Sequence, residues 1–146
     1  MTKMIFVNLP VADVEKSAAF YEAVGFTKDP RFSRTGSAAA MVWSETIVFM
    51  ILSRAHFTDF TSKRIIDAKS DVQTLLCLSI DSRAGVDAIV DKAVTAGGKA
   101  DSGPKLDHGC MYGRSFEDLD GHVFEPMWMD LAAAMAAMDG QHAEAA

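Results

Sequence analysis

A carboxylate stands inside an apolar run near the end of the chain: Glu125, in EDLDGHVFEPMWMD at residues 117–130. Asp120-Gly121 is the dipeptide of a tight hairpin turn, and the residues after it alternate as a strand does. On a period of two, Val123, Glu125, Met127 and Met129 share one face, and His122, Phe124, Pro126 and Trp128 share the other. Both faces are largely apolar, which predicts a strand covered on both sides, with Glu125 aimed into a core or a lined cavity. A dry, unpaired carboxylate costs several kcal/mol, so such a residue needs a metal, an arginine or a proton, or else a face wet enough to hydrate it.

The partners the sequence offers are few. Tyr112 and Arg114 fall on the strand that the hairpin pairs with the Glu125 strand, and Arg114 could neutralise Glu125 or Glu117, bind an anionic ligand, or simply face solvent beside Glu117 and Asp118. Asn8 is a polar group on the same alternating face as Phe6 and Met4. It could orient a ligand or bond the local backbone before Pro10. His122 alternates away from Glu125 and suits a turn cap, His108 lies in the loop KLDHGCMYGR, and His56 and His142 belong to a polar connector and the C-terminal tail. Cys77 and Cys110 have no CxxC spacing, so free thiols are expected and a cysteine zinc site is not. Trp43, Phe49, Met50, Met127 and Trp128 supply apolar wall, for a core or for a cavity.

The elements that must position these residues come in two similar sets. Met4 to Pro10 reads as a strand, Asp13 caps a helix with Val14, Ala18 and Tyr21 on one stripe, and Gly25 stops it. Extended segments follow at Phe26 to Phe32, Ser37 to Trp43 and Thr46 to Ser53. After a polar connector the order repeats: strand Thr74 to Ile80, helix VDAIVDKAVTAGG, a short extended piece near Lys99, strand Met111 to Glu117 and strand Val123 to Met129. Val14, Ala18, Tyr21 and Gly25 correspond to Val86, Val90, Ala93 and Gly97 at a constant offset. The pattern predicts an α+β fold of two βαβββ modules at 1–54 and 73–130, a connector at 55–72 holding about one helical turn, and a helical tail at 131–146 that frays after Gly140. With 146 residues, a net charge of −6 and one small basic cluster, Lys63-Arg64, the chain suits neither nucleic acid nor an anionic membrane surface. Its central apolar run, Ile47 to Leu52, is too short to span a bilayer, and the expected location is the cytoplasm.

FVNLPVADVEKSAAFYEAVGF at 6–26 and RSFEDLDGHVFEPMW at 114–128, set in paired modules over residues 4–130, resemble the vicinal oxygen chelate superfamily of glyoxalases, bleomycin resistance proteins and extradiol dioxygenases. Within it the chain is most similar to a subset labelled as predicted lactoylglutathione lyases. The resemblance implies curved mixed sheets enclosing a cavity, in which four strands each offer one ligand to a divalent metal. The last ligand position falls on Glu125. The others fall on Phe6, on Phe49 or Met50, and on Leu75 or a neighbour among Leu76, Cys77 and Leu78. One donor in four does not hold a catalytic metal, so no cofactor is expected. Three functions remain open: a metal-free small-molecule-binding protein, a metal-dependent lyase or dioxygenase, and a metal-independent enzyme with Glu125 as base. Phe6, Asn8, Met50, Tyr112, Arg114 and Met127 are the expected ligand contacts. A homodimer is expected too, because two short sheets leave edges and apolar faces to cover.

Overall fold

The computed structural model describes residues 1–145, with side chains as far as Gly140. The first module runs β1 (Ile5–Val11), α1 (Val14–Val24), β2 (Thr27–Arg34), β3 (Ala38–Ser44) and β4 (Ile47–Ser53), followed by the single turn α2 (Arg54–Phe57). The second comprises β5 (Leu75–Ser79), α3 (Arg83–Thr95), β6 (Lys99–Ala100), β7 (Leu106–Asp107), β8 (Met111–Gly113), β9 (Phe116–Glu117) and β10 (Val123–Met129), and α4 (Leu131–Ala145) closes the described chain. The tail helix therefore continues past Gly140, where the sequence predicts fraying. The side chain of His142 lies outside the described residues.

Asp13 starts α1 as the sequence predicts, its carboxylate accepting from the Lys16 N–H at 3.0 Å. The Ser82 hydroxyl does the same for α3 through the Gly85 N–H at 2.9 Å. Gly25 and Gly97 end the two helices at φ 125° and 104°, conformations that side chains resist. The stops keep the repeat interval while the caps do not, because α3 has 13 residues and α1 has 11.

Each module builds one curled sheet by the same plan. In the first the order is β1-β4-β3-β2, with β1 and β4 parallel. In the second, β5 lies parallel to β10, the third strand is split into β8 and β9, and their outer neighbours are β7 and β6. The continuous strand expected over Met111 to Glu117 breaks at Arg114-Ser115, and the cause is across the ladder. The Arg114 N–H donates to the Pro126 carbonyl at 3.2 Å, but proline has no N–H to return the bond.

The helices cover one face of each sheet and meet each other, so the modules share one core. Phe124 is its centre, with ring centroids 5.7 Å from Tyr21, 5.4 Å from Phe49 and 5.2 Å from Phe116. The Asp118–His122 turn then ties the second module to the first. Its Asp120 carboxylate accepts from the Ala12 N–H at 2.8 Å, and the His122 ring nitrogen Nε2 lies 2.7 Å from the Pro10 carbonyl. Tyr21 donates from its hydroxyl to Asp118 at 2.5 Å. No described helix is long and apolar enough to cross a membrane.

Candidate functional site

The faces turned away from the helices are open, and the sheet register fixes what they carry. In the first module Phe6 lies opposite Val48 and Asn8 opposite Met50. In the second, Leu75 lies opposite Val123 and Cys77 opposite Glu125. Phe6 and Leu75 are therefore equivalent positions on the first strand of each module, and Met50 and Glu125 are equivalent positions on the last. Phe6 is 57% exposed and Leu75 56%, while Met50, Glu125 and Met127 are half-buried. The strand of Glu125 is thus covered on one side only, and the carboxylate sits on the partly wet side.

Glu125 has Cys77 beside it rather than an arginine. Burial, and then the negative charge of Glu125, push the Cys77 thiol up, which keeps it protonated and poorly nucleophilic. Asn8 has no side-chain hydrogen bond among the described residues, so its amide does not serve the local backbone.

Tyr112 and Arg114 stand elsewhere. Tyr112 lies opposite Trp128, on the helix-covered face, and donates to Asp87 of α3 at 2.7 Å. Arg114 meets Asp101 with two nitrogens, Nε at 3.1 Å and Nη2 at 2.7 Å, and reaches Asp87 with Nη1 at 2.9 Å. Neither touches Glu125. These contacts hold Asp101 and Asp87 below the usual carboxylate range: for Asp101 the cause is the bond from Arg114, and for Asp87 it is first Tyr112 and then Arg114. Of the six expected ligand contacts, the structure sets Phe6, Asn8, Met50 and Met127 on open faces and commits Tyr112 and Arg114 to the bond between α3 and the second sheet.

The turn explains the reversal. A two-residue turn at Asp120-Gly121 would pair Leu119 with His122 and put Arg114 on the Glu125 face. The loop has five residues instead, 118–122, because Glu117 pairs with Val123. One oxygen of the buried Asp118 holds the loop by accepting from the Asp120 and His122 N–H groups, at 3.0 and 2.8 Å. The register slips by one residue, and every side chain on the partner strand changes face. Burial pushes the Asp118 carboxyl up, and burial followed by Asp118 itself pushes the Tyr21 phenol well up. The acidic turn is therefore a clamp between modules.

A cleft of about 280 Å³ opens beside Met50, lined by Arg31, Phe32, Arg34, Ala38 and His56 among others. Arg31 is occupied by Asp29, at 2.8 Å, whereas Arg34 has no side-chain partner among the described residues. The sequence shows only a weak extended stretch ending at Phe32, which conceals this cationic edge. Its signal was the alternation of Arg31 and Ser33 with Phe32 and Arg34. His108 lies in the loop before β8, away from these faces, where its N–H bonds the Met111 carbonyl.

The donor set does not suit a divalent metal. The four equivalent positions carry a phenyl ring, a thioether, an isobutyl group and one carboxylate, and among the described residues no three His, Cys, Asp or Glu side chains converge.

Residues 3–39 match the family described as the bleomycin resistance protein-like N-terminal domain. A hypothetical protein from S. aureus is 27% identical, with a TM-score of 0.72 over 88% of this chain and 94% of its own. A glyoxalase/bleomycin resistance protein/dioxygenase family enzyme from Burkholderia phytofirmans is 19% identical, with a TM-score of 0.70 over 88% and 99%. The fosfomycin resistance protein FosX from Listeria monocytogenes is 17% identical, with a TM-score of 0.62 over 90% and 97%. Among proteins of curated function none is significantly similar in sequence. Paired curled sheets of this topology give the chain the fold of the glyoxalase/bleomycin resistance/dioxygenase proteins, and the sequence likeness to the bleomycin resistance protein-like family lies in residues 3–39.

Proposed function

We propose that this protein is a small-molecule-binding member of the vicinal oxygen chelate superfamily that works without a divalent metal, as a cytoplasmic homodimer. The observation that carries this reading is the equivalence of Phe6, Met50, Leu75 and Glu125, which leaves one oxygen donor at four ligand positions. The cleft beside Met50 supports a small anionic ligand with an apolar part, since Arg34, without a side-chain partner among the described residues, and the exposed Phe32 border the same space.

The dimer reading rests on the first strands. β1 and β5 are each paired on one side only, and between them they expose Ile5, Phe6 and Leu75. Exposed apolar side chains clustered on these strands invite a second copy.

Metal analysis of protein purified without chelator tests the first claim. Sub-stoichiometric zinc, nickel, iron and manganese are expected. Tight stoichiometric metal that is lost in Glu125→Gln would overturn the reading and restore a lyase or dioxygenase. Light scattering tests the second claim: the expected mass is about twice the 15.8 kDa chain, falling to that of the single chain in Phe6→Asp.

A further inference from the structure

The connector between the modules does more than join them. It roofs a second cleft, of about 480 Å³, in the gap between the edge strands β1 and β5. The floor is apolar and comes from both modules: Leu9 and Pro10 from β1, Leu76 from β5 and Val123 from β10. Phe57 and Ile66 close it from the connector side. Neither Glu125 nor Phe6 nor Met50 borders this space, although Pro10 and Val123 alternate onto the same faces as those residues.

The roof is fixed in place. The Lys69 N–H bonds the Asp67 carboxylate at 3.0 Å, and the Ser70 and Asp71 N–H groups return to the Asp67 carbonyl at 3.1 and 2.8 Å. This turn rests on Gly121 so closely that a Cβ there would come within 2.7 Å of the Ala68 backbone. The Gly121 turn is in turn clamped to the first module through Asp118 and Asp120.

Charge distinguishes the cleft from an ordinary gap. Lys63 and Arg64, the basic pair of an otherwise acidic chain, both line it. Arg31, Arg83 and Arg114 are bound to aspartates, but Lys63 and Arg64, like Arg34, form no ion pair among the described residues. Asp71 also lines the cleft and offsets one of the two charges. His122, Gln73 and Thr74 add polar groups, with the His122 ring nitrogen Nε2 held at the Pro10 carbonyl. The result is an apolar slot with a net positive mouth. Its volume is within the range of about 300–1,000 Å³ typical of small-molecule sites.

We infer that the cleft under the connector is a binding site for a small amphipathic monoanion, a carboxylate on an apolar body, whose head meets Lys63 and Arg64 and whose body lies against Leu9, Leu76 and Val123. The apolar floor supplies burial, and the cationic mouth selects an anion over a neutral molecule of the same shape. This site does not depend on the reading of the open faces.

Calorimetric titration of the full chain with decanoate and with decanol tests the inference. Decanoate should bind with one-to-one stoichiometry, and decanol about tenfold more weakly or less well still. Lys63→Ala/Arg64→Ala should remove that preference while leaving decanol binding unchanged. Ile66→Trp, at a position exposed enough to spare the fold, should fill the slot and abolish both. Equal affinity for acid and alcohol would overturn the inference. So would decanoate binding that survives Lys63→Ala/Arg64→Ala and Ile66→Trp but is lost in Arg34→Ala, which would assign the anion to the cleft beside Met50.

Discussion

Replacing Arg114 by alanine separates a structural arginine from a ligand-binding one. The side chain is 12% exposed, and its partners Asp101 and Asp87 are 29% and 49% exposed. A fully buried pair broken on one side costs about 3–5 kcal/mol, and a fully exposed pair about 0–1 kcal/mol. The two-pronged bond to Asp101 belongs nearer the first case. The bond to the half-exposed Asp87 belongs nearer the second, and Asp87 keeps Tyr112 in any event. Together these give an expected loss of about 2–3 kcal/mol. With a urea m-value of about 2 kcal/mol/M, the unfolding midpoint should fall by about 1 M or slightly more at pH 7. Both aspartates titrate lower in the folded chain than in the unfolded one. Their contribution is therefore present at neutral pH and lost as pH falls through their folded values, so the gap between wild type and variant should narrow below about pH 4. A loss under about 0.5 kcal/mol, or one that does not vary with pH, would refute the argument and return Arg114 to solvent.

Phe124→Ala removes the ring on which both modules converge and should cost about 3–5 kcal/mol by chemical denaturation. Gly121→Ala forces a Cβ into the Ala68 backbone at φ 98° and should cost about 2 kcal/mol or more, read by thermal unfolding. Asp118→Asn, which cannot ionise, should gain on wild type as pH rises above the ordinary carboxylate range: burial raises the Asp118 carboxyl, so its favourable protonated state is lost as pH passes through the raised folded value. Urea titrations at several pH values would show the two stabilities converging or crossing.

The helices and the pairing plan were open to a reading of the sequence because they rest on local chemistry. Asp13 as cap, Gly25 and Gly97 as stops, and the placing of Glu125 opposite Phe124 on its strand all follow from residue type and period. What escaped depended on one residue of register. The dipeptide Asp120-Gly121 invites a two-residue turn, and only the buried Asp118, satisfied by Tyr21 from 97 positions away, makes the loop longer. That single step carried Arg114 and Tyr112 to the other face. The cationic edge at Arg34 and the roofed cleft were hidden for a related reason. Each is assembled from segments that carry no pattern alone and meet only in the folded chain.

The common aromatic core has a consequence for how the protein comes apart. Phe49 and Phe26 of one half pack on Phe124 of the other, at 5.4 and 6.3 Å, so neither half can open without exposing the rings of its twin. The halves look like a duplicated unit, yet they have lost the autonomy that a duplicated unit begins with. Amide protons in β4 and β10 should exchange with solvent at a common rate set by whole-molecule unfolding, and either half expressed alone should remain without fixed structure.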